Sequence, residues 1–455
     1  RPDDGAIEAQ TGQTQFMREP NDWGDWFGSN NSNPLYQFVL DEHYLRRNPH
    51  VSPPEARVQV SLAPGAAPVF PASRTELRFN DLNAANRFTS ACSAIIYRDE
   101  LFGPDFYGNS FVCEPVHNLV HRETLEAEGT IFRSQRAADE RTSEFLASTD
   151  NWSRPAMVRC GPDGALWIAD MYRQVIEHPE WIPKEWQEKV DLRAGHDKGR
   201  IYRVFPVDRR PRPFARLDRF DTVELVAALD SPSGWQRDMA QQLLIHRGDR
   251  ATVPLLKAML EDVQSRPLAR LHALCTLGGL DALDAETLQI ALRDPHPGVV
   301  RHAVRLSEPL LDETPGLAAM LVEIISAPDA PLRLQLAYSL GEWHAPAAGK
   351  ALGQLALAAG DDPYITAAVL SSANKKNLSE LLAAVLPAGE GPMPPARLPA
   401  TLMNMAVATD DVSALEAGLA RIVRRADDGY AAWQLAALDG LMGALDRRKL
   451  SLAEF

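Results

Sequence analysis

Four stretches carry side chains of a type and spacing that can do chemistry. Glu114–Arg122 reads EPVHNLVHR. As one extended strand it puts Val116, Asn118 and Val120 on one face and His117, Leu119 and His121 on the other. His117 can take a proton from a hydroxyl, because imidazole titrates near neutrality, and Asn118 beside it offers an amide donor. Hydrogen-bonded structure in the strand is the other reading of both. The second stretch starts at the turn GPDG (Gly161–Gly164) and a strand ending at Asp170. A hairpin partner should follow within a few residues, yet Arg173, His178, Arg193 and His196 come first, and strand character resumes only at KGRIYRV (Lys198–Val204). Long loops in compact domains usually serve a function. Asp170 is expected at the rim of a site, with this loop as its wall. Within the loop, PKEWQEKVDL (Pro183–Leu192) reads as a short helix, and Arg193, His196 and Lys198 can instead pair with Asp191 and Asp197. In the third stretch, Trp23, Trp26 and Phe27 can wall a sugar or planar cofactor, with Asn30 and Asn31 as polar contacts; Asn30, Asn31 and Asn33 equally suit a plain turn. The fourth, NWSRP (Asn151–Pro155), brings Arg154 near the same rim or into a structural pair.

Other chemistries leave no mark. There is no Ser–His–Asp arrangement, phosphate loop or HExxH pair, and no acidic spacing of a calcium loop. Cys92, Cys113, Cys160 and Cys275 include no CxxC pair, so this stretch encodes neither a zinc knuckle nor haem attachment. Cys92 and Cys113 lie on consecutive expected strands. A disulfide is open to them if those strands pair antiparallel with the cysteines opposite.

Two kinds of scaffold are expected to position these residues. Residues 1–208 contain short runs bounded by turn residues: GAIEAQTG, LYQFVL, SACSAIIYR, NSFVCEPVHNLVHR, GTIFRS, AMVRC, ALWIAD and RIYRVF read as strands. Leu166, Trp167 and Ile168 in succession suggest a strand covered on both faces, as in a sheet packed between two others. Stacked antiparallel sheets with long loops suit a β-propeller, whose loops gather at a channel mouth where ligands bind. Residues 209–219 connect to a helical region, 220–386. There Arg237, Arg270, Arg301 and Arg333 stand 33, 31 and 32 residues apart, with Thr366 another 33 on. Each follows a Pro-containing turn and precedes an apolar helical stretch. That period suits an α-solenoid of HEAT type. The arginines are expected to bond a neighbouring repeat or cap carbonyls. Residues 387–399, with five prolines and two glycines, read as a linker, and 400–455 return to helix.

The 455 residues are 45% apolar and 24% charged, enough for a sizeable core and for two to four domains. A net charge of −14 with no basic tract argues against nucleic acid as a partner. No apolar run nears the roughly 18 residues of a membrane span. Arg1 at the start reads as a cut or processed end.

DWGDWFGSNNSNPLYQFVLDEHYLRRNPHV, SACSAIIYRDELFGPDFYGNSFVCEPVHNLVHR, RPAMVRCGPDGALWIADMYRQVIEHPEWIP and DLRAGHDKGRIYRV resemble the large dehydrogenase-like proteins of planctomycetes and verrucomicrobia. In that family a propeller similar to quinoprotein glucose and sorbosone dehydrogenases precedes HEAT-like repeats and usually a c-type cytochrome domain. The resemblance covers most of residues 5–310. It implies a six-bladed type of propeller, of which 1–208 would hold three to four blades, so the chain reads as an interior fragment with open sheet edges and a tendency to self-associate. It further implies an extracytoplasmic or periplasmic oxidoreductase, membrane-associated through other segments, acting on a sugar or alcohol. Pyrroloquinoline quinone and calcium would do the redox chemistry, and electrons would pass to a cytochrome c domain whose haem c this stretch does not encode. On that reading His117 and His178 are the candidate bases. Arg154, Asp170, Arg173, Arg193 and His196 would hold the cofactor, and Trp26, Asn30, Asn31 and Asn118 the substrate. The alternative is a glycan- or protein-binding propeller without turnover, its solenoid docking a protein partner.

Overall fold

The structure is a computed structural model, and it describes residues 7–10, 12–63, 65–76, 85–387, 393–395, 397–425 and 429–451. Antiparallel sheets occupy the N-terminal half and helices the rest. Two compact units share the chain. One comprises residues 12–39 and 57–255; the other comprises 40–56 and 256 onward, with residues 7–10.

The first unit holds three sheets. β1 (Glu19–Pro20), β2 (Trp26–Asn30), β3 (Asn33–Phe38) and β4 (Arg57–Gln59) pair in that order. β5 (Cys92–Ile96), β6 (Ser110–Glu114), β7 (Leu119–Glu128) and β8 (Ile131–Arg136) form the second sheet, with β9 (Leu146–Ala147) on β7. β10 (Pro155–Cys160), β11 (Leu166–Asp170) and β12 (Arg200–Val204) form the third. Alternation along β5 and β6 explains the stacking, because neighbouring residues point to opposite faces. Ala94, Ile96 and Val112 pack with Phe27 and Leu35 of the first sheet and with Val60 just past β4. Ile95, Tyr97 and Phe111 pack with Val158, Leu166 and Ile168 of the third. Each Val, Leu, Ile or Phe among these contributes about 1.5–3 kcal/mol on full burial. The sheet covered on both faces is therefore the middle one, not β11 as its sequence suggested. Trp167 and Ala169 on β11 stay half-buried, with Phe214 near the indole.

Two expected strands change, and one stretch read as a turn forms a strand. The run Asn109–Arg122 is not continuous: Pro115 opens a 3-10 turn, Pro115–His117, and Asn118 takes φ +62° before β7 begins. Proline has no N–H for a ladder, so the run breaks there. His117 and His121 consequently do not share a strand face. Of GAIEAQTG, residues 7–10 form no strand and Gly5, Ala6 and Thr11 lie outside the described residues. β2, read as a turn with an aromatic wall, is a strand.

Two single-turn helices, α1 (Glu42–Leu45) and α2 (Lys184–Gln187), lie in the long β3–β4 and β11–β12 connections. α3 (Thr222–Ala228) and α4 (Gly234–Arg247) close the first unit. α5 (Val253–Glu261) leads into the second. There follow α6 (Pro267–Gly279), α7 (Ala285–Ala291), α8 (Pro297–Ser307), α9 (Pro315–Glu323), α10 (Ala330–Ser339) and α11 (Ala347–Ala359). α12 (Pro363–Ser372), α13 (Leu378–Val385), α14 (Leu398–Ala408), α15 (Val412–Ile422) and α16 (Ala432–Arg448) complete it. Alternate helices pack in rows: α6, α8, α10 and α12 in succession, and α11, α13 and α15 beside them. Prolines sit in the first turn of α6, α8, α10 and α12, where a missing N–H costs nothing. Arg270 donates to Asp294 at 2.6 and 2.9 Å, ahead of α8, and Arg333 donates to the Ala358 carbonyl at 3.0 Å. Arg237 instead reaches Asp22 and donates to the Ser231 carbonyl at 2.7 Å, both within the first unit, so the recurring arginines do not share one role. Of the Pro-rich stretch 387–399, residues 388–392 and 396 lie outside the described residues.

Residues 40–56, read as part of the strand-rich half, pack with these helices. Tyr44 stacks on Tyr338 at 4.4 Å and donates to Glu308 at 2.8 Å. Arg47 donates to the Tyr338 carbonyl (2.9 Å) and to Ser372 (2.8 Å). Asn48 donates to the Leu370 and Ala373 carbonyls at 2.9 and 3.0 Å. At the C-terminal ends of α10 and α12, Arg47 and Asn48 thus add side-chain donors to carbonyls, of which Tyr338 and Leu370 also accept from the Gly341 and Ala373 N–H groups at 3.0 and 3.2 Å.

Candidate ligand cavity

Three loops of the first unit meet at Asn118. A left-handed backbone is tolerable for Asn, whose short amide bonds locally. Its Nδ2 donates to the carbonyls of Asn151 (3.1 Å) and Ser153 (2.5 Å), and its Oδ1 accepts from the Ser73 hydroxyl at 2.7 Å. Asn151 in turn donates to the Arg74 carbonyl at 2.7 Å. Between these loops and the β11–β12 connection lies a cavity of about 150 Å³. Asn118, Asn86 and Gln174 line it with Val175, Ile176 and the half-exposed Trp186.

His117 stands on the cavity wall with both ring nitrogens in use. Nε2 accepts from the Asn86 N–H at 2.9 Å, and Nδ1 lies 3.3 Å from Glu114 Oε1. That carboxylate is fully buried and also takes the N–H groups of Thr89 and Ser90 at 3.2 and 3.0 Å. This pattern assigns the neutral tautomer with the proton on Nδ1, so no lone pair is left to accept a substrate proton. Arg154 also lines the cavity, and its guanidinium is spent on the backbone. Nε donates to the Arg173 carbonyl (2.9 Å), one terminal nitrogen to Pro115 and Val116 (3.1 Å each), and the other to Gln174 (2.8 Å). It staples the β11–β12 connection to the Pro115 turn. Asp170 supports it from behind, accepting from the N–H groups of Arg154 (2.7 Å) and Tyr172 (2.8 Å) and pairing with Arg200 at 2.8 Å. Burial raises the Asp170 pKa, but the Arg154 N–H, the Arg200 pair and the Tyr172 N–H together hold it below the usual carboxylate range.

The other sequence candidates lie elsewhere. His178 is 70% exposed and caps the Pro179–Trp181 turn by accepting from Glu180 N–H at 3.2 Å. Arg193 and His196 are exposed and bond within their own turn, with His196 Nδ1 3.1 Å from the Arg193 carbonyl. Arg173 donates to the carbonyls of Gly195 (2.5 Å), Tyr172 (2.9 Å) and Met171 (3.0 Å), fixing the loop to itself. The Asn30 side chain accepts from Asn33 at 3.2 and 3.0 Å and the Asn31 carbonyl accepts from the Ala91 N–H at 3.0 Å, so both shape the β2–β3 turn. Trp26 is half exposed on β2. Of eleven candidates, His117, Asn118 and Arg154 line the cavity. Sequence reading missed Ser73 and Asn86, which carry no motif and reach the site only through long-range contacts. Gln174, Val175, Ile176 and Trp186 lie in the β11–β12 loop that was expected as the wall of a site.

The residues present do not fit a quinone with calcium. Two of the expected cations are consumed by carbonyls, and the volume is well under the roughly 300–1,000 Å³ of sites for drug-sized ligands. Among the described residues, no three His, Cys, Asp or Glu side chains converge to hold a metal ion.

Residues 1–208 match the family model of a domain of unknown function, DUF7133. No curated protein matches the chain. Among solved structures, the complex of CpcE and CpcF of phycocyanin lyase from Nostoc sp. PCC7120 is similar at 22% identity, over 55% of this chain and 93% of that one, with a TM-score of 0.27.

Proposed function

We propose that the strand-rich unit is a binding module, part of a propeller, that seats one sugar-sized polar ring in the cavity walled by Asn118, Gln174 and Trp186. The helices form a HEAT-type scaffold that docks a protein partner, outside the cytoplasm. One observation carries this reading: His117 has both nitrogens bonded inside the wall, so the wall is built to hold a ligand and not to take its proton. An indole beside the Gln174 amide suits a sugar, which presents an apolar face and a hydroxyl edge. Titration calorimetry and saturation-transfer NMR against mono- and oligosaccharides test it. Binding of a terminal sugar is expected, weakened about tenfold, ~1.4 kcal/mol, in Trp186→Ala. No binding across the panel overturns it. The redox reading that the resemblance implies makes the opposite forecast: sugar-dependent dye reduction after addition of pyrroloquinoline quinone and calcium, abolished in His117→Gln.

A further inference from the structure

The β5–β6 ladder sets Cys92 directly opposite Cys113. Residues so paired have Cα atoms about 4.5–5.5 Å apart, inside the roughly 4.4–6.8 Å that a disulfide spans. Both side chains enter the same buried cluster, with Phe111, Val120 and Val158, and both thiols are free. The ladder is irregular beside one of them: Ser93 takes φ +54°, and the register shifts between Cys92 and Ile95. The Cys92 thiol donates to the Ala156 carbonyl at 3.5 Å, a weak bond that a rotation of its side chain would release. Burial, and the neighbouring Glu114, push the Cys92 thiol up to about 12, and burial also raises Cys113. Neither is a reactive thiolate in the folded chain, so exchange must take place while the chain folds or opens.

We propose that Cys92 and Cys113 are the two halves of a cross-strand disulfide that forms as the chain folds, closed by a low-molecular-weight disulfide such as glutathione disulfide. One thiolate attacks that oxidant and releases one glutathione thiol. The second protein thiolate attacks the resulting mixed disulfide, forming the Cys92–Cys113 bond and releasing the second glutathione thiol. Two protein thiols are oxidised, one disulfide is reduced, and the two protons end on glutathione. The bond would clamp the start of β5 to the residue before Glu114, whose carboxylate anchors Thr89, Ser90 and the His117 turn. The bond thus stiffens one cavity wall.

The test refolds the full chain from its reduced, unfolded state in a glutathione redox buffer, then alkylates, digests and maps it by mass spectrometry. A Cys92–Cys113 crosslink is expected, with Cys160 and Cys275 alkylated and two thiols titrating where the reduced chain has four. Cys113→Ser should leave three alkylated thiols and no crosslink. Four alkylated cysteines in the refolded wild type, judged folded by circular dichroism, overturn the proposal, as does a crosslink that uses Cys160 or Cys275. The wild-type result decides even if the variant fails to fold.

Discussion

Two buried carboxylates close on one imidazole at His121. Nδ1 lies 2.8 Å from Glu144 and Nε2 3.4 Å from Glu123, with the side chain 1% exposed. Arg136 also pairs with Glu144 at 2.7 Å, Ser61 and Ser134 donate to Glu123 at 2.8 and 2.5 Å, and Phe88 meets the ring edge-on. Next to it, Arg122 pairs with Glu140 at 2.9 Å and with Asp139 at 2.5 Å. Burial alone would lower the His121 pKa. Hydrogen bonds and charges from Glu123 and Glu144 outweigh it and hold the pKa above the ordinary value. Against their own burial, the same contacts hold Glu123 and Glu144 below theirs. The His121 contribution is therefore complete below about pH 6.5, its unfolded value, and is lost as pH rises through the folded pKa. The two carboxylates contribute above their unfolded value and are lost as pH falls through their folded pKa. His121→Gln strips the shared cation from two buried anions and should cost about 3–5 kcal/mol at neutral pH. The gap between wild-type and variant urea midpoints should be widest near pH 6 and shrink toward pH 9; a gap constant over that range would show His121 to be uncharged. His121 was legible as a polar residue in a strand, but its partner Glu144 is 23 positions away, and sequence gives no sign of that contact.

Elements were legible where a period repeats and illegible where one residue interrupts it. The helical rows follow from a turn, a proline and an apolar stretch recurring near every 32 residues, and the N-caps reinforce it: Asp329 accepts from Leu332 N–H at 2.8 Å ahead of α10. Pro115 and Asn118 do the reverse. Each breaks one residue of an otherwise strand-like run, and together they create the turn that lines the cavity. Asn118 meets two demands, a left-handed backbone and three side-chain hydrogen bonds. Asn118→Gly meets the first and Asn118→Ala meets neither. Both lose the buried bonds, and Ala pays about 1–2 kcal/mol more for its backbone. Chemical denaturation should rank the chains wild type, Gly, Ala; a tie between Gly and Ala would mean that the turn relaxes out of the left-handed conformation. The docked segment obeys the same logic at helix ends. Asn48→Ala removes the side-chain donor to the Ala373 carbonyl and one of two donors to the Leu370 carbonyl, which keeps the Ala373 N–H, and should destabilise by about 1–3 kcal/mol, read as an earlier urea transition in helical circular dichroism.

Neither unit is one run of sequence, and composition could not show that. Near residue 208 the texture changes because the last strand ends at Val204 and, after the single-turn α1 and α2, the longer helices begin at Thr222, although the compact units divide after Leu255. Yet residues 40–56 leave β3, join the helices and return at β4. Nothing in DEHYLRRN marks it as a helix-docking segment, because Tyr338, Ser372 and Leu370 lie about 300 positions away. A chain ended after Leu255 keeps every residue of the strand-rich unit and removes all helical partners of Tyr44, Arg47 and Asn48. Its sheets should persist, since the clusters around Phe27 and Phe111 use only residues that remain. The 40–56 segment should lose its protection, because local opening is governed by local contacts. Trypsin is expected to cut after Arg46 or Arg47 at least about tenfold faster in the shortened chain than in the full one, under conditions where circular dichroism shows strand content retained. Equal cutting rates with sheets intact would mean that Tyr44, Arg47 and Asn48 are not what holds the segment. Loss of the sheets themselves would mean that the strand-rich unit depends on the helices for its own stability.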